Sequence, residues 1–193
     1  RPLRALFTVA GIAMAVALQI SGAAWLDAIG HIADVQYRQV QQGDVLVNFR
    51  RPVPPHVVQD LQRLPGVIDA EPYRTEPVKV SLRGRSEDTA LSGYVGNAQL
   101  LRVIDEERGP VAMPAHGVVL SGLLARELGA RVGDRVTLDF RLWNRRQVQI
   151  EVVDIVHTMF GKLLFMNLDA MNRLAGDGDG VADAALLVDP AAM

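Results

Sequence analysis

VVLSGLLARELGARVGDRVTL, residues 118–138, is the stretch around which the predicted fold is organised. Its first three residues are apolar and favour a strand, and Ser121 follows them as a helix N-cap. The segment LLAREL has helical spacing and ends at Gly129, a residue that favours helix C-termini. Gly133-Asp134 then makes a turn before a second strand begins at Val136. The stretch therefore predicts a strand, a short helix and a further strand.

On the C-terminal side, strands and a short helix continue to alternate. The predicted elements are a hairpin of strands 136–140 and 147–156 with Arg145-Arg146 at its tip, a strand 163–166, a helix 169–174 and a strand 184–188. The last strand runs into Asp189-Pro190, much as an earlier strand runs into prolines and a helix. We therefore expect the domain to continue beyond Met193.

On the N-terminal side, the pattern also mixes strands with short helices. The predicted elements are a strand 44–49, a helix opened by Pro55, strands 67–73, 78–82 and 90–95, a short helix capped by Asn97, and a loop 108–116 with two prolines. Helices and strands do not alternate regularly, as they would in a parallel α/β sheet. The predicted class is α+β, with mixed strands and helices.

Residues 5–26, ALFTVAGIAMAVALQISGAAWL, carry no charge. As a helix they are about 33 Å long, enough to span a bilayer core of about 30 Å, so we predict a transmembrane helix over residues 1–26. A cleaved signal peptide and a buried soluble helix are the alternatives. Arg1 and Arg4 place the N-terminus in the cytoplasm, and the rest of the chain outside it, by the positive-inside rule. Residues 27–43 are predicted to continue outward as a stalk helix that ends at Gly43.

Small residues recur along this apolar helix. Gly11 and Ala15 are four positions apart, as are Ala17 and Ser21. Such spacing lets a second membrane helix approach closely, so these four residues are the predicted helix-packing site. A lone anchor with incidental alanines fits the same pattern.

Composition excludes several functions. The 193 residues have a formal net charge of −2, which argues against nucleic-acid binding, and they include no cysteine, which excludes disulfides and thiolate metal sites. The four histidines do not have the spacing of a metal site, and Ser121 lacks the glycine that precedes a nucleophile elbow. Asp177-Gly-Asp-Gly180 departs from a calcium loop and is interpreted as a turn. We expect no catalytic residue, no metal and no cofactor.

Three motifs together resemble a known family. The N-terminal RPLR followed by LFTVAGIAMAVAL looks like the first membrane helix of FtsX/MacB-like ABC transporter permeases. VVLSGLLARELGARVGDRVTL and FMNLDAMNRLAG, residues 165–176, are similar to stretches of the family's periplasmic core domain. Each motif is short, and the combination carries the resemblance.

The resemblance implies an architecture. After the membrane helix and stalk, it implies a first porter-like half over residues 44–82, an inserted α/β lobe over 83–180 and the start of a returning porter-like half over 181–193. It also implies location in the bacterial inner membrane, with the residues after about 27 periplasmic or extracellular.

The resemblance further implies a non-catalytic permease that transmits ATP-driven motion for export or lipoprotein extrusion. Implied partners are a cytoplasmic ATPase subunit, a second permease copy or homologue, membrane lipid, and a periplasmic substrate or adaptor protein. The alternatives are a single-pass anchored interaction module, such as an adaptor or assembly factor, and an exported hydrolase.

Overall fold

The computed structural model describes residues 2–35, 42–140, 146–158, 161–176 and 178–192. The chain divides into two compact units, residues 1–39 and 40–193. The first unit contains the helix α1 (Pro2–Val35), and the second contains ten strands and three further helices among its described residues.

Helix α1 confirms the predicted helix at the N-terminus and extends to Val35, whereas the assignment of residues 27–43 to a stalk stays a prediction. Its described side chains, Phe7 and residues 9–25, are all exposed. Within the described part of the chain, no helix is both long and apolar enough to cross a membrane. Residues 36–41 of the predicted stalk lie outside the described residues.

The second unit follows the predicted order of elements closely. Its strands are β1 (Val45–Val53), β2 (Val67–Leu82), β3 (Arg85–Tyr94), β4 (Val103–Asp105), β5 (Gly109–Val111), β6 (Val118–Ser121), β7 (Arg135–Phe140), β8 (Arg146–Val156), β9 (Leu163–Asn167) and β10 (Val181–Val188). Its helices are α2 (His56–Gln62), α3 (Gly122–Leu128) and α4 (Leu168–Ala175), with a 3₁₀ turn at Pro190–Ala192. Mixed α/β structure is thus confirmed. The side chains of Arg145 and Arg146, at the predicted tip of the hairpin, lie outside the described part of the chain.

Six strands close into a barrel in the order β2, β3, β9, β6, β8, β7 and back to β2. The β3–β9 and β6–β8 pairs are parallel, and the other pairs are antiparallel. Strands β10 and β1 extend the sheet from the first part of β2, so that β10 lies between β1 and β2. The last strand of the chain is therefore hydrogen-bonded to the first two.

The barrel interior is the main core. Alternation along β7 buries Val136, Leu138 and Phe140 inside it, and α3 adds Leu124 and Leu128. On the outer face of β6, β8 and β9, a smaller cluster packs beneath β4 and β5. Both faces of these three strands are therefore covered, which explains why β6 is buried at all four positions.

The 118–138 stretch folds as its local signals indicate. The Ser121 side chain accepts a hydrogen bond from the Leu124 amide, and Gly129 ends α3 in the left-handed conformation at φ 65°. Ser121 Oγ also donates to the Gly161 carbonyl and accepts from the Leu163 amide. The interpretation of Ser121 as an N-cap is confirmed, and the same hydroxyl ties α3 to β9.

Three local predictions are wrong. Strands 67–73 and 78–82 are one strand, β2, because β3 pairs with it continuously from residue 73 to residue 82. Pro77 is tolerated there because the β2–β7 ladder begins only at Val78. No helix follows Asn97, and the predicted loop 108–116 contributes β5, which pairs with β4.

Candidate functional site

Residues at the entry to β1 contact the end of β10 and the loop after β3. The amides of Gln42 and Gly43 donate to the Leu100 carbonyl, at 2.8 and 3.2 Å, and the Asp44 amide donates to the Leu186 carbonyl at 2.8 Å. Asp44 Oδ2 then accepts from the Val188 amide at 3.0 Å. We call residues 42–44, 100 and 186–188 the terminal junction. It joins the start of β1, the end of β10 and the loop after β3.

Gly43 lets the chain pass closely over β10 at the terminal junction. It is buried, and an added Cβ would lie 3.3 Å from the Ala185 Cβ and 3.4 Å from the Leu186 carbonyl oxygen. Below it, Leu100 packs in a small core with Tyr73 and Ala185. The junction is thus a close-packed contact as well as a set of hydrogen bonds.

Glu71 holds the loop side of the terminal junction. Its two carboxylate oxygens accept from the Gln99 amide at 2.8 and 2.9 Å, and Oε2 also accepts from the Leu100 amide at 2.9 Å. Hydrogen bonds to a charged acceptor are roughly twice as strong as neutral ones. Because Glu71 lies on β2, the loop that receives residues 42 and 43 is bound directly to the barrel's longest strand.

The same loop borders open space. A cavity of about 360 Å³ lies between it and β5, lined by Tyr94, Leu101, Val111 and Met113 among others. Tyr94 also contacts Phe165 of β9, with ring centroids 6.1 Å apart. Burial raises the pKa of the Tyr94 hydroxyl, and the hydrogen bond with Ser92 lowers it. Burial is the larger effect, so the pKa of Tyr94 is raised. This hydroxyl stays neutral at physiological pH.

A second attachment point is the buried carboxylate of Asp105, at the end of β4. It accepts from the Glu107, Arg108 and His157 amides at 3.0, 2.9 and 2.9 Å and from Arg108 Nη2 at 3.1 Å. Burial alone would raise the pKa of Asp105, but these hydrogen bonds outweigh it and hold the pKa well below its usual range. Arg108 also binds Asp154 and the Ile155 carbonyl, so the turn between β4 and β5 is fastened to the end of β8.

The predicted helix-packing residues Gly11, Ala15, Ala17 and Ser21 lie on α1, and all four are exposed. An added Cβ at Gly11 would meet nothing within 4 Å. No observation here tests their packing against another helix, and it stays a prediction.

Among the described residues, no three histidine, aspartate or glutamate side chains come together as a metal site. Asp177, the first residue of the turn predicted at residues 177–180, lies outside the described residues.

Sequence reasoning missed Glu71 and Asp105. Each is a single acidic residue in a strand, without a motif around it. The amides that Glu71 binds are 28 and 29 positions further along the chain, and His157 is 52 positions from Asp105. A weak signal was present after Asp105, because an aspartate followed by a turn often accepts from the next amides.

We expect the Glu71→Gln variant to loosen the terminal junction. Glutamine keeps one acceptor oxygen but turns an NH₂ group toward the two amides, so at least one charge-assisted hydrogen bond is lost, at about 1.5–3 kcal/mol. Amide hydrogen exchange at Gln99 and Leu100 should accelerate about tenfold or more. Glu107→Gln is the control, because its carboxylate accepts no hydrogen bond from the described residues. Equal protection in both variants would contradict the role of Glu71.

Comparisons with known proteins agree with this architecture. The model of the MacB-like periplasmic core domain family matches residues 5–192. The structure is similar to the extracellular domain of the noncanonic ABC-type transporter YknZ from Gram-positive bacteria, with 11% identity, a TM-score of 0.50, and coverage of 76% of this chain and 83% of that one. The periplasmic region of MacB from Actinobacillus actinomycetemcomitans matches with 13% identity, a TM-score of 0.46, and coverage of 75% and 73%.

No curated protein matches the sequence. The family match extends over nearly the whole chain, and the likeness to YknZ supports the fold. The chain therefore belongs to the MacB-like periplasmic core domain family, the non-catalytic extracytoplasmic domains of ABC transporter permeases.

Proposed function

We propose that this chain relays motion between the membrane helices of an ABC transporter permease and its extracytoplasmic lobes, for export or extrusion of a substrate. The terminal junction carries the proposal. Asp44, at the entry to the β domain, is hydrogen-bonded to Leu186 and Val188 of β10. A displacement of residues 42–44 therefore acts directly on β10.

The proposed path runs from the junction into the barrel. Residues 42 and 43 bind the Leu100 carbonyl, Glu71 binds the same loop, and β2 extends from Glu71 through the barrel wall to Leu82. Strands transmit displacement well because their ladder hydrogen bonds act together. The second attachment point at Asp105 keeps the β4–β5 segment moving with β8.

The finer division of the chain is part of the proposal. Residues 44–82 and 181–193 form the two porter-like halves, and 83–180 form the inserted lobe. The position of β10 between β1 and β2 supports this division, because the returning segment pairs with both strands of the first segment. Residues 27–43 are the proposed stalk, whose first part, as far as Val35, belongs to α1.

We further propose that residues 1–26 anchor the domain in the bacterial inner membrane with the N-terminus in the cytoplasm. The exposed apolar side chains of α1, including Phe7, Ile12, Leu18 and Trp25, support contact with lipid. The face of Gly11, Ala15, Ala17 and Ser21 would pack against a helix of a second permease copy or homologue. A cytoplasmic ATPase subunit, and a periplasmic substrate or adaptor protein, complete the proposed assembly.

Location can be tested with single cysteines, because the chain has none of its own. A cysteine at Val132, which is 59% exposed, should react with a membrane-impermeant maleimide in intact cells. A cysteine at Arg4 should react only after the membrane is permeabilised. Labelling of the Arg4 position in intact cells would refute the proposed topology.

Motion can be tested in membranes that contain the full permease and its ATPase. Spin labels at Val132 should show an ATP-dependent change in the distance between two permease copies, measured by pulsed electron resonance. A pair within one domain, at Ile68 and Val132, serves as the control for distortion of the domain itself. A single-pass interaction module predicts no response to ATP, and that result would overturn the relay.

A further inference from the structure

The barrel carries a basic cavity at the end of β2 that lies away from the terminal junction. Its volume is about 590 Å³, and it is formed where the β2–β3 turn meets the start of β7. Glu71 and Leu82 are eleven positions apart along β2, which is about 36 Å at about 3.3 Å per residue. The relay proposed above does not use this cavity.

The cavity has an excess of positive charge. Arg83, Arg85 and Arg135 line it together with one acidic residue, Asp134. Three positive charges and one negative charge leave a local charge of +2, whereas the whole chain has a net charge of −2. A basic site on an acidic protein draws anions toward it.

The single carboxylate of the cavity is already engaged. Asp134 Oδ1 accepts from Arg83 Nη2 at 2.5 Å, and Oδ2 accepts from the Arg131 amide at 2.9 Å. Arg85 Nη1 donates to a neutral acceptor, the Glu127 carbonyl, at 3.2 Å. The described residues provide no ion pair for Arg135, whose cross-strand neighbour Glu151 is not part of the cavity wall. Two guanidinium groups thus face the cavity without a carboxylate partner among those residues.

Arg83 occupies a backbone position that arginine rarely adopts. Leu82 pairs with Arg85, so Arg83 and Gly84 form a two-residue hairpin turn, with φ of 48° and 83°. Turns with two positive φ values strongly prefer Asn-Gly. Among the described residues, Arg83 is the one non-glycine residue with positive φ. Backbone strain of this kind is typical of functional positions, and the Arg83 guanidinium group donates to Asp134 in the cavity wall.

We propose that this cavity binds an oxyanion, namely the phosphate group of a soluble molecule or of a lipid headgroup. Guanidinium groups bind phosphate through paired N–H donors in a planar fork. Arg83, Arg85 and Arg135 supply these donors, and the hydroxyl groups of Ser86 and Thr137 lie in the same wall.

Calorimetric titration of the full chain with sodium phosphate, at constant ionic strength, tests the site. Arg83→Asn removes one guanidinium group and its ion pair with Asp134, and it places a favoured residue in the turn, which offsets part of that loss. Arg83→Asn and Arg135→Gln should each weaken phosphate binding about tenfold, the effect of losing one charge-assisted contact. Arg63→Gln is the control. Arg63 is the C-cap residue of α2 and its side chain is 78% exposed, so its replacement should leave phosphate binding unchanged.

Vesicles distinguish the two sources of phosphate. Sedimentation with phosphatidylglycerol vesicles, compared with phosphatidylcholine vesicles, measures binding to an anionic headgroup. Vesicle binding through α1 should be the same in all variants. Only the vesicle binding that is lost in Arg83→Asn and Arg135→Gln is therefore attributed to the cavity. Arginine-dependent binding of phosphate alone supports a soluble ligand, and arginine-dependent vesicle binding supports a headgroup. Absence of both, or binding that persists in both variants, would overturn the proposal.

Discussion

The Arg74→Ala variant is expected to lose about 3–5 kcal/mol of unfolding free energy, the usual cost of removing one partner of a buried ion pair. The Arg74 side chain is 5% exposed, and its Nε and Nη2 both lie 3.0 Å from Glu76 Oε1. Its Nη1 donates to Asn172 Oδ1, and Asn172 Nδ2 donates to the Gly180 carbonyl. Alanine would leave the Glu76 carboxylate, only 13% exposed, without this charge partner. It would also remove the hydrogen bond between Arg74 of β2 and Asn172 of α4.

Urea unfolding of Arg74→Ala measures this loss, and Arg63→Ala is its matched control. Arg63 pairs with Asp60 at 3.5 Å, but both side chains are exposed, so its loss should cost less than about 1 kcal/mol. If Arg74→Ala does not fold, the double variant Arg74→Met/Glu76→Leu still tests the argument. Apolar residues of similar volume remove both charges, so this variant should recover most of the lost stability, apart from the contribution of the hydrogen bond to Asn172 Oδ1. A double variant no more stable than Arg74→Ala would show that the ion pair is not the cause.

The Asp105→Asn variant is expected to lose about 2–4 kcal/mol at neutral pH. Four donors converge on this carboxylate, and asparagine has one acceptor oxygen and a competing NH₂ group. Each buried donor left unsatisfied costs about 1–3 kcal/mol. Asp154→Asn is the control, because Asp154 binds the same Arg108 but its side chain is 32% exposed. Equal losses in the two variants would contradict the special role of Asp105.

The difference between wild type and Asp105→Asn should depend on pH. Because the pKa of Asp105 is lowered in the folded protein, its stabilisation is fully present above the unfolded value of about 3.9 and is lost as the pH falls further. The stability gap measured by urea unfolding should therefore be widest at pH 5–7 and should narrow below about pH 4. A gap that stays constant into that range would show that the carboxylate is not held ionised by the fold.

Local elements were largely predictable because their signals lie within a few residues. Ser121 and Gly129 mark the two ends of α3, and the alternation along β7 identifies its buried face. The predicted hairpin 136–140 with 147–156 needed only two adjacent strands and a short connection. Strand boundaries were less accurate, since β3 begins five residues before the predicted position 90. Pairing with β2 extends it through residues that have no strong strand preference of their own.

Other elements depended on partners that are distant in sequence. The predicted helix after Asn97 does not form because the amides of Gln99 and Leu100 bind the Glu71 carboxylate. The two predicted strands on either side of Pro77 merge because β3 runs alongside both. Hydrogen-bond donors take the partner that the whole fold provides, and local propensity cannot identify that partner.

The sequence by itself determined most of the order of the elements, the mixed α/β class, the family and the expectation of a protein without catalytic residues. Only the tertiary structure decided that β2 and β7 close a barrel, that β10 inserts between β1 and β2, and that residues 42–44 meet residues 186–188. The physical reason is the range of the interactions. Caps and periodicity act within a few residues, whereas strand pairing and buried charges such as Arg74 and Asp105 join residues that chain folding alone brings together.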